Sequence, residues 1–278
     1  MFTSRRLLIA TKHKKETVLS PLLETALGVH CFTDDRLDTD KLGTFTGEVE
    51  RIDDPLTTAR KKCEWGMELT GCDLAVASEG SFGAHPSLVF VPGNDEIVLL
   101  VDKKNNIEVV GRAVSTETNF SAALVSTIDE LKAFARRVQF PSHALIVRAA
   151  EKDTTAITKA ITDWAQLEQC VNGLIERQGN AFIETDMRAL YNPSRMKVIG
   201  QAAQRLVEKL GSCCPQCDCP GFSVTKTDPG LPCRVCGSST RSALYHTYHC
   251  QRCRFEKKEM FPNGKQSEDP MYCDICNP

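Results

Sequence analysis

Eight cysteines arranged as four CxxC pairs carry the most specific chemistry in this chain: Cys214/Cys217, Cys233/Cys236, Cys250/Cys253 and Cys273/Cys276. A CxxC turn aims two thiolates at one metal. Four thiolates close a tetrahedral site with no position for water, so these eight predict two structural four-cysteine zinc sites. The rival chemistry, a disulfide framework, needs an oxidising compartment. The opening MFTSRRLLIATKHKK has only the apolar LLIA before polar residues resume, which does not read as a secretory signal. No apolar run is long enough for a membrane helix, so a cytoplasmic, zinc-holding chain without a membrane partner is expected.

Three pairings of the knuckles are open. Joining neighbours leaves gaps of 15 and 19 residues, alternating pairing makes a cross-brace, and nested pairing joins second to third and first to fourth. Nested pairing is preferred, because ALYHTYH and FEKKEMF read as strands flanking one knuckle. His246 and His249 read as hairpin side chains rather than ligands. Cys213 and Cys219 break the spacing. Cys31, Cys63, Cys72 and Cys170 are scattered and read as small buried apolar residues.

Three further segments are richer in polar chemistry than a core requires. Lys12-His13-Lys14-Lys15 lies in a strand-to-helix turn, where cations and free N–H groups suit phosphate. Asp53-Asp54 precedes a helix bearing Arg60, Lys61 and Lys62, an arrangement that suits Mg2+ and a polyphosphate, although taken alone it reads first as a capped helix with an exposed basic face. Ser78-Glu79-Gly80-Ser81-Phe82-Gly83 ends a strand, the place where α/β sheets collect ligands. A fourth cluster, Asp186, Arg188 and Arg195, reads either as an ion-pair network or as part of the same cleft.

The elements that must position these groups follow from pattern. LLIA predicts a buried strand at 7–10, followed by a helix to Leu27 stopped by Gly28, with Ser20-Pro21 a second candidate start. Asp54-Pro55 is an N-cap and a first-turn proline, and its helix runs to Thr70 before Gly71. DLAVA at 73–77 is a strand, SLVFV and EIVLLVD read as a hairpin around PGND, and 107–114 extends the antiparallel part. Thr127 to Glu130 forms a capping box opening a helix. Strands follow at 144–149 and 181–185, with a helical stretch over 154–177 between them that breaks near Asp163. A last helix starts at Asn192-Pro193 and closes at Gly211. The fold class is therefore α/β with a mixed sheet over 1–210, followed by a zinc-ribbon-type module over 211–278.

The order of a strand with a basic turn, an acidic pair opening Thr58-Ala59-Arg60-Lys61-Lys62, and a strand ending Glu79-Gly80-Ser81 resembles the inosine triphosphatase-like fold, nearest its inosine/xanthosine triphosphatase branch. His13 and Lys14 stand where that branch has Asn-Pro, while Lys15 is kept. The whole chain resembles an uncharacterised bacterial family in which SEGSFG, the segment Glu184 to Met196 and four CxxC knuckles recur together. The first resemblance implies Mg2+- or Mn2+-dependent hydrolysis of a nucleotide-like phosphate ester or anhydride. Lys12, His13, Lys15, Arg60 and Lys61 would meet phosphates, and Asp54 and Glu79 would hold the metal or orient water. Glu79→Gln is then expected to abolish turnover with little change in thermal stability. The alternative is a non-enzymatic module that binds a nucleotide, nucleic acid or protein through its zinc ribbons.

Charge weighs on the choice of partner. The whole chain has a formal net charge of −2, and from Cys213 onward eight Lys/Arg face seven Asp/Glu. Two zinc ions with eight thiolates would bring that region to about −3, so nucleic acid is not favoured. A small nucleotide or phosphate substrate suits the chain better.

Overall fold

The computed structural model describes residues 1–42 and 52–278, which divide into two compact units, Met1–Val207 and Glu208–Pro278. The first unit opens with β1 (Arg6–Ile9), whose Leu7, Leu8 and Ile9 are buried. The helix α1 (Glu16–Leu27) follows and ends where Gly28 takes φ 65, a left-handed conformation that glycine adopts without a Cβ penalty. It starts earlier than Ser20-Pro21, and Pro21 sits inside it. After β2 (His30–Phe32) comes α2 (Pro55–Thr70). Asp54 caps α2 by accepting the Leu56 and Thr57 N–H groups, with proline at the first helical position.

The strands β3 (Leu74–Ala84), β4 (Pro92–Asp102) and β5 (Ile107–Ser115) complete a five-stranded sheet in the order β2-β1-β3-β4-β5. The first three in that order are parallel and the rest antiparallel, giving the mixed sheet expected from a helical crossover followed by hairpins. The hairpin itself differs from expectation. SLVFV is not a strand; it lies in the loop joining β3 to β4, with Leu88, Val89 and Phe90 exposed. Pairing of Gly83 with Gly93 and of Ala84 with Pro92 takes the expected turn, Pro92 to Asp95, into β4 and leaves the connection at 85–91.

A second, antiparallel sheet takes the order β6-β9-β7-β8, from β6 (Ala122–Val125), β7 (Leu145–Arg148), β8 (Ile157–Ile161) and β9 (Ala181–Thr185). The helices α3 (Ile128–Arg137) and α4 (Trp164–Gln178) belong to it. Thr127 caps α3 as expected, its Oγ1 accepting from Glu130 N, while the Glu130 carboxylate reaches back one residue further than in a capping box and accepts from Ser126 N. Residues 157–161 are a strand rather than the start of a long helix. Their β-branched residues pair with β7, and Asp163 caps a fresh helix.

Among the described residues, one apolar cluster joins Leu8, Ala59, Cys63, Met67, Ala77 and Leu99 between α2 and the first sheet, and another joins Leu131, Phe134, Leu145, Leu167, Val171 and Ile183. The helix α5 (Pro193–Gly211) lies so close to β5 that a Cβ on Gly111 would collide with the Ala202 carbonyl and with Leu206. Among the described residues no helix is long and apolar enough to cross a membrane.

The second unit is a three-stranded antiparallel meander of β10 (Ser223–Pro229), β11 (Ala243–His249) and β12 (Glu256–Met260). Its strands are at most half-buried, and its buried residues include Cys214, Cys219, Cys233, Cys250 and Cys273.

Candidate functional site

The eight knuckle cysteines gather into two groups, Cys214, Cys217, Cys250, Cys253 and Cys233, Cys236, Cys273, Cys276, with all Sγ atoms of a group within 4.8 Å. Sulfur separations of 3.7 Å (Cys214–Cys253), 3.6 Å (Cys217–Cys250), 3.9 Å (Cys233–Cys276) and 3.6 Å (Cys236–Cys273) recur in both. A tetrahedron of thiolates around a zinc-sized ion at about 2.3 Å has edges of about 3.8 Å, so each group fits one metal ion.

Local backbone bonds form the knuckles. The residue after each CxxC returns its N–H to the first cysteine's carbonyl: Asp218 to Cys214, Gly237 to Cys233, Arg254 to Cys250 and Asn277 to Cys273. Asp218, Gly237 and Arg254 all adopt positive φ to do so. Cys236 is held down at about 6 by the Ser238 hydroxyl and N–H. Burial opposes ionisation of Cys250, yet the N–H groups of Cys253 and Arg252 outweigh it and the thiol falls to about 6. Hydrogen bonds of this kind favour the thiolate that a metal requires. Cys219 lies outside both groups, and burial pushes it up to about 11.

The grouping is alternating, first knuckle with third and second with fourth, and this corrects the nested preference. The meander is the cause. Ser223 at the start of β10 pairs with His249 at the end of β11, which pairs in turn with Glu256 at the start of β12. The knuckle before β10 and the one between β11 and β12 therefore share one end of the sheet. The other two knuckles follow β10 and β12 at the opposite end.

A second polar group lies just past the end of β1, beside β3. Lys15, which precedes α1, is buried and donates from Nζ to the Ser78 carbonyl at 3.0 Å. Lys62 of α2 pairs with Glu79. Arg195, in the first turn of α5, bonds Glu96 of β4 at 2.7 Å and donates to the Met187 carbonyl. All five charged side chains are buried. Strand alternation puts Glu79 on the α2 side of the sheet and Ser78 on the other side. There Glu96 stands opposite Gly80, where a Cβ would run into its carboxylate.

Burial and then the Arg195 charge push Lys15 down to about 7; Glu79 and Glu96 pull it up, and Lys62 lowers it further. Beside this cluster, the Ser78 hydroxyl and the Asn94 amide are buried without a hydrogen-bond partner among the described residues. Buried polar atoms in that state are uncommon in folded proteins.

The sequence-derived candidates fall into two sets. Lys15, Glu79 and Arg195 converge. Lys12 bonds Asp38 at 2.7 Å, Lys61 bonds Asp53, and Arg60 bonds Glu108 two-pronged, with both N···O distances 2.8 Å. Asp54 spends its carboxylate on the helix cap and the Thr57 hydroxyl, and these bonds hold its pKa below the usual range. His13 is half-buried in the turn, with its N–H on Thr11 Oγ1 at 3.4 Å. Asp186 accepts from Arg188 Nε at 3.0 Å, and Arg188 lies 4.6 Å over the Tyr191 ring. Asn192 ties this segment to Arg195 by accepting its N–H at 2.9 Å.

Lys62 was legible only as part of a basic helix face, and Glu96 and Asn94 not at all. Their place in the cluster depends on the β3–β4 register, which no local motif encodes.

No curated protein matches this chain. A family described as a domain of unknown function, DUF6671, matches residues 62–278, which takes in both cysteine groups and Lys62, Glu79, Glu96 and Arg195, with Lys15 upstream. No inosine triphosphatase-like family match accompanies it over the N-terminal region. Because the match covers more than half of its length, the chain belongs to the DUF6671 family.

Proposed function

We propose that the first unit binds a nucleotide-like phosphate ester or anhydride beside β1 and β3 and hydrolyses it with Mg2+ or Mn2+, while the second unit holds two structural zinc ions. The observation that carries the reading is the convergence of Lys15, Lys62, Arg195, Glu79 and Glu96 from five separate segments. Three cations against two carboxylates leave a surplus of positive charge when all are ionised, and burial makes that charge effective toward an anion. A phosphate would hold Lys15 protonated and draw on Lys62 and Arg195, and Glu79 would orient the attacking water. A divalent cation would supply charge neutralisation on the phosphates. Zinc is the inferred metal of the second unit because four thiolates without an open position suit a structural zinc.

A second reading, binding without turnover, has its own support. Asp54 is committed to its helix cap and Glu79 to Lys62, which leaves few carboxylate oxygens for a divalent ion. The test is a nucleotide panel with Mg2+ or Mn2+, reading released phosphate and pyrophosphate alongside equilibrium binding. Release from at least one nucleotide, lost in Lys15→Met, supports hydrolysis. Binding without release selects the second reading, and absence of both overturns the site.

A further inference from the structure

A shallow cavity of about 220 Å3 opens at the far end of the β3–β4 hairpin, walled by Ser81, Phe82, Gly83, Pro86, Asp95 and Val114. Its position relative to Glu79 follows from the strand period. Glu79, Ser81 and Gly83 share one face of β3, with Ile97, Asp95 and Gly93 opposite them on β4 and Val114 beside Asp95 on β5. The cavity therefore begins about 7 Å along the same face from Glu79, two residues at about 3.3 Å each.

Its chemistry is that of a ring-binding surface. Pro86 and Val114 supply apolar area, while the Phe82 ring turns to the other face and stacks on Phe120 at 5.7 Å. Gly83 leaves bare backbone: a Cβ built there meets nothing within 4 Å. One charged acceptor faces this area. Arg112 holds Asp95 two-pronged, Nε donating to Oδ1 at 2.8 Å and Nη2 to Oδ2 at 2.5 Å, and each carboxylate oxygen keeps a lone pair for a further donor. The cavity is smaller than the roughly 300–1,000 Å3 of a site that engulfs a whole drug-sized ligand, so it suits one ring system whose remainder extends along the sheet.

The geometry points to this cavity as the seat of a flat, N–H-bearing heteroaromatic ring, a nucleobase, attached to a phosphate group held at Lys15 and Lys62, on the Glu79 side of the sheet. The inference rests on the phosphate-binding reading above and adds the ring's place and the acceptor, Asp95, that reads its donor edge. The loop that supplies Pro86 also exposes Leu88, Val89 and Phe90, apolar surface that a ring can cover.

Gly83 allows a clean steric test. Its φ is not left-handed and its Cβ direction is open, so Gly83→Leu fills the cavity without straining the backbone. Equilibrium binding is measured for inosine triphosphate, adenosine triphosphate and inorganic tripolyphosphate on the wild-type chain, Gly83→Leu and Asp95→Asn. Thermal melts serve as the folding control. The expected result is that wild type binds at least one nucleotide about tenfold more tightly than tripolyphosphate. Gly83→Leu removes that preference while its tripolyphosphate affinity is unchanged, and Asp95→Asn changes the ranking of the two nucleotides. Equal wild-type affinity for tripolyphosphate and both nucleotides, or a nucleotide preference that survives Gly83→Leu, overturns the ring site and leaves the phosphate site standing. A wild-type chain that binds none of the three overturns both.

Discussion

Arg195 and Glu96 form an ion pair at 2.7 Å across 99 residues of sequence, with side-chain exposures of 1% and 0%. The pair ties the first turn of α5 to the middle of β4, directly over Gly80. Two buried charges repay their desolvation only in each other's presence, so losing one partner is worse than losing both. Arg195→Met should destabilise the first unit by about 3–5 kcal/mol, and adding Glu96→Gln should recover part of that loss. Urea unfolding of the two single variants and the double variant measures the coupling.

The Lys62–Glu79 pair changes what Glu79→Gln should do. The residues alone suggested a carboxylate whose removal leaves stability nearly untouched. With Lys62 buried against it, glutamine strands a buried ammonium, and a cost of about 3 kcal/mol is expected alongside any loss of turnover. Chemical denaturation of Glu79→Gln beside Lys62→Met/Glu79→Gln separates the structural effect from the chemical one. A single variant as stable as wild type would show that the pair is not formed in solution.

Lys15 gives the first unit a pH signature. Its folded pKa of about 7 lies below the ordinary lysine value of 10.5, so between those values the unfolded chain binds more protons than the folded one. Stability from this residue therefore rises with pH through that window, by a few kcal/mol in total, and the penalty is fully present below pH ~7. Arg195, Glu79, Lys62 and Glu96 are the charged groups that face it. Lys15→Met should flatten the rise in denaturation midpoints measured from pH 7 to pH 10.

Metal content tests the cross-brace. Two zinc ions per chain are expected by elemental analysis. Cys214→Ser/Cys250→Ser strikes one group twice and should leave one zinc, whereas Cys214→Ser/Cys233→Ser strikes both groups and should leave none. Nested pairing gives one zinc in neither variant. Chelation should unfold residues 208–278 and spare the helices of the first unit, because a closed zinc site couples metal binding to local folding.

The contrast between what was legible and what was not follows the range of the interactions. Asp54-Pro55, the Thr127–Glu130 pair and Gly28 declared helix ends because each acts on backbone groups within four residues of itself. The CxxC spacing declared four cysteine knuckles for the same reason, since a knuckle closes on its own backbone. Which knuckles face each other was set by strand direction in the meander, and which charges share the buried cluster was set by the β3–β4 register and the docking of α5. SLVFV had strand composition yet became a loop, because Gly83–Gly93 pairing fixed the turn and left no partner for it. The sequence by itself determined the local conformations and the chemical types available. Only the tertiary structure decided that Lys62 meets Glu79 and Arg195 meets Glu96, because desolvation makes a charge seek whichever partner the packed backbone brings within reach.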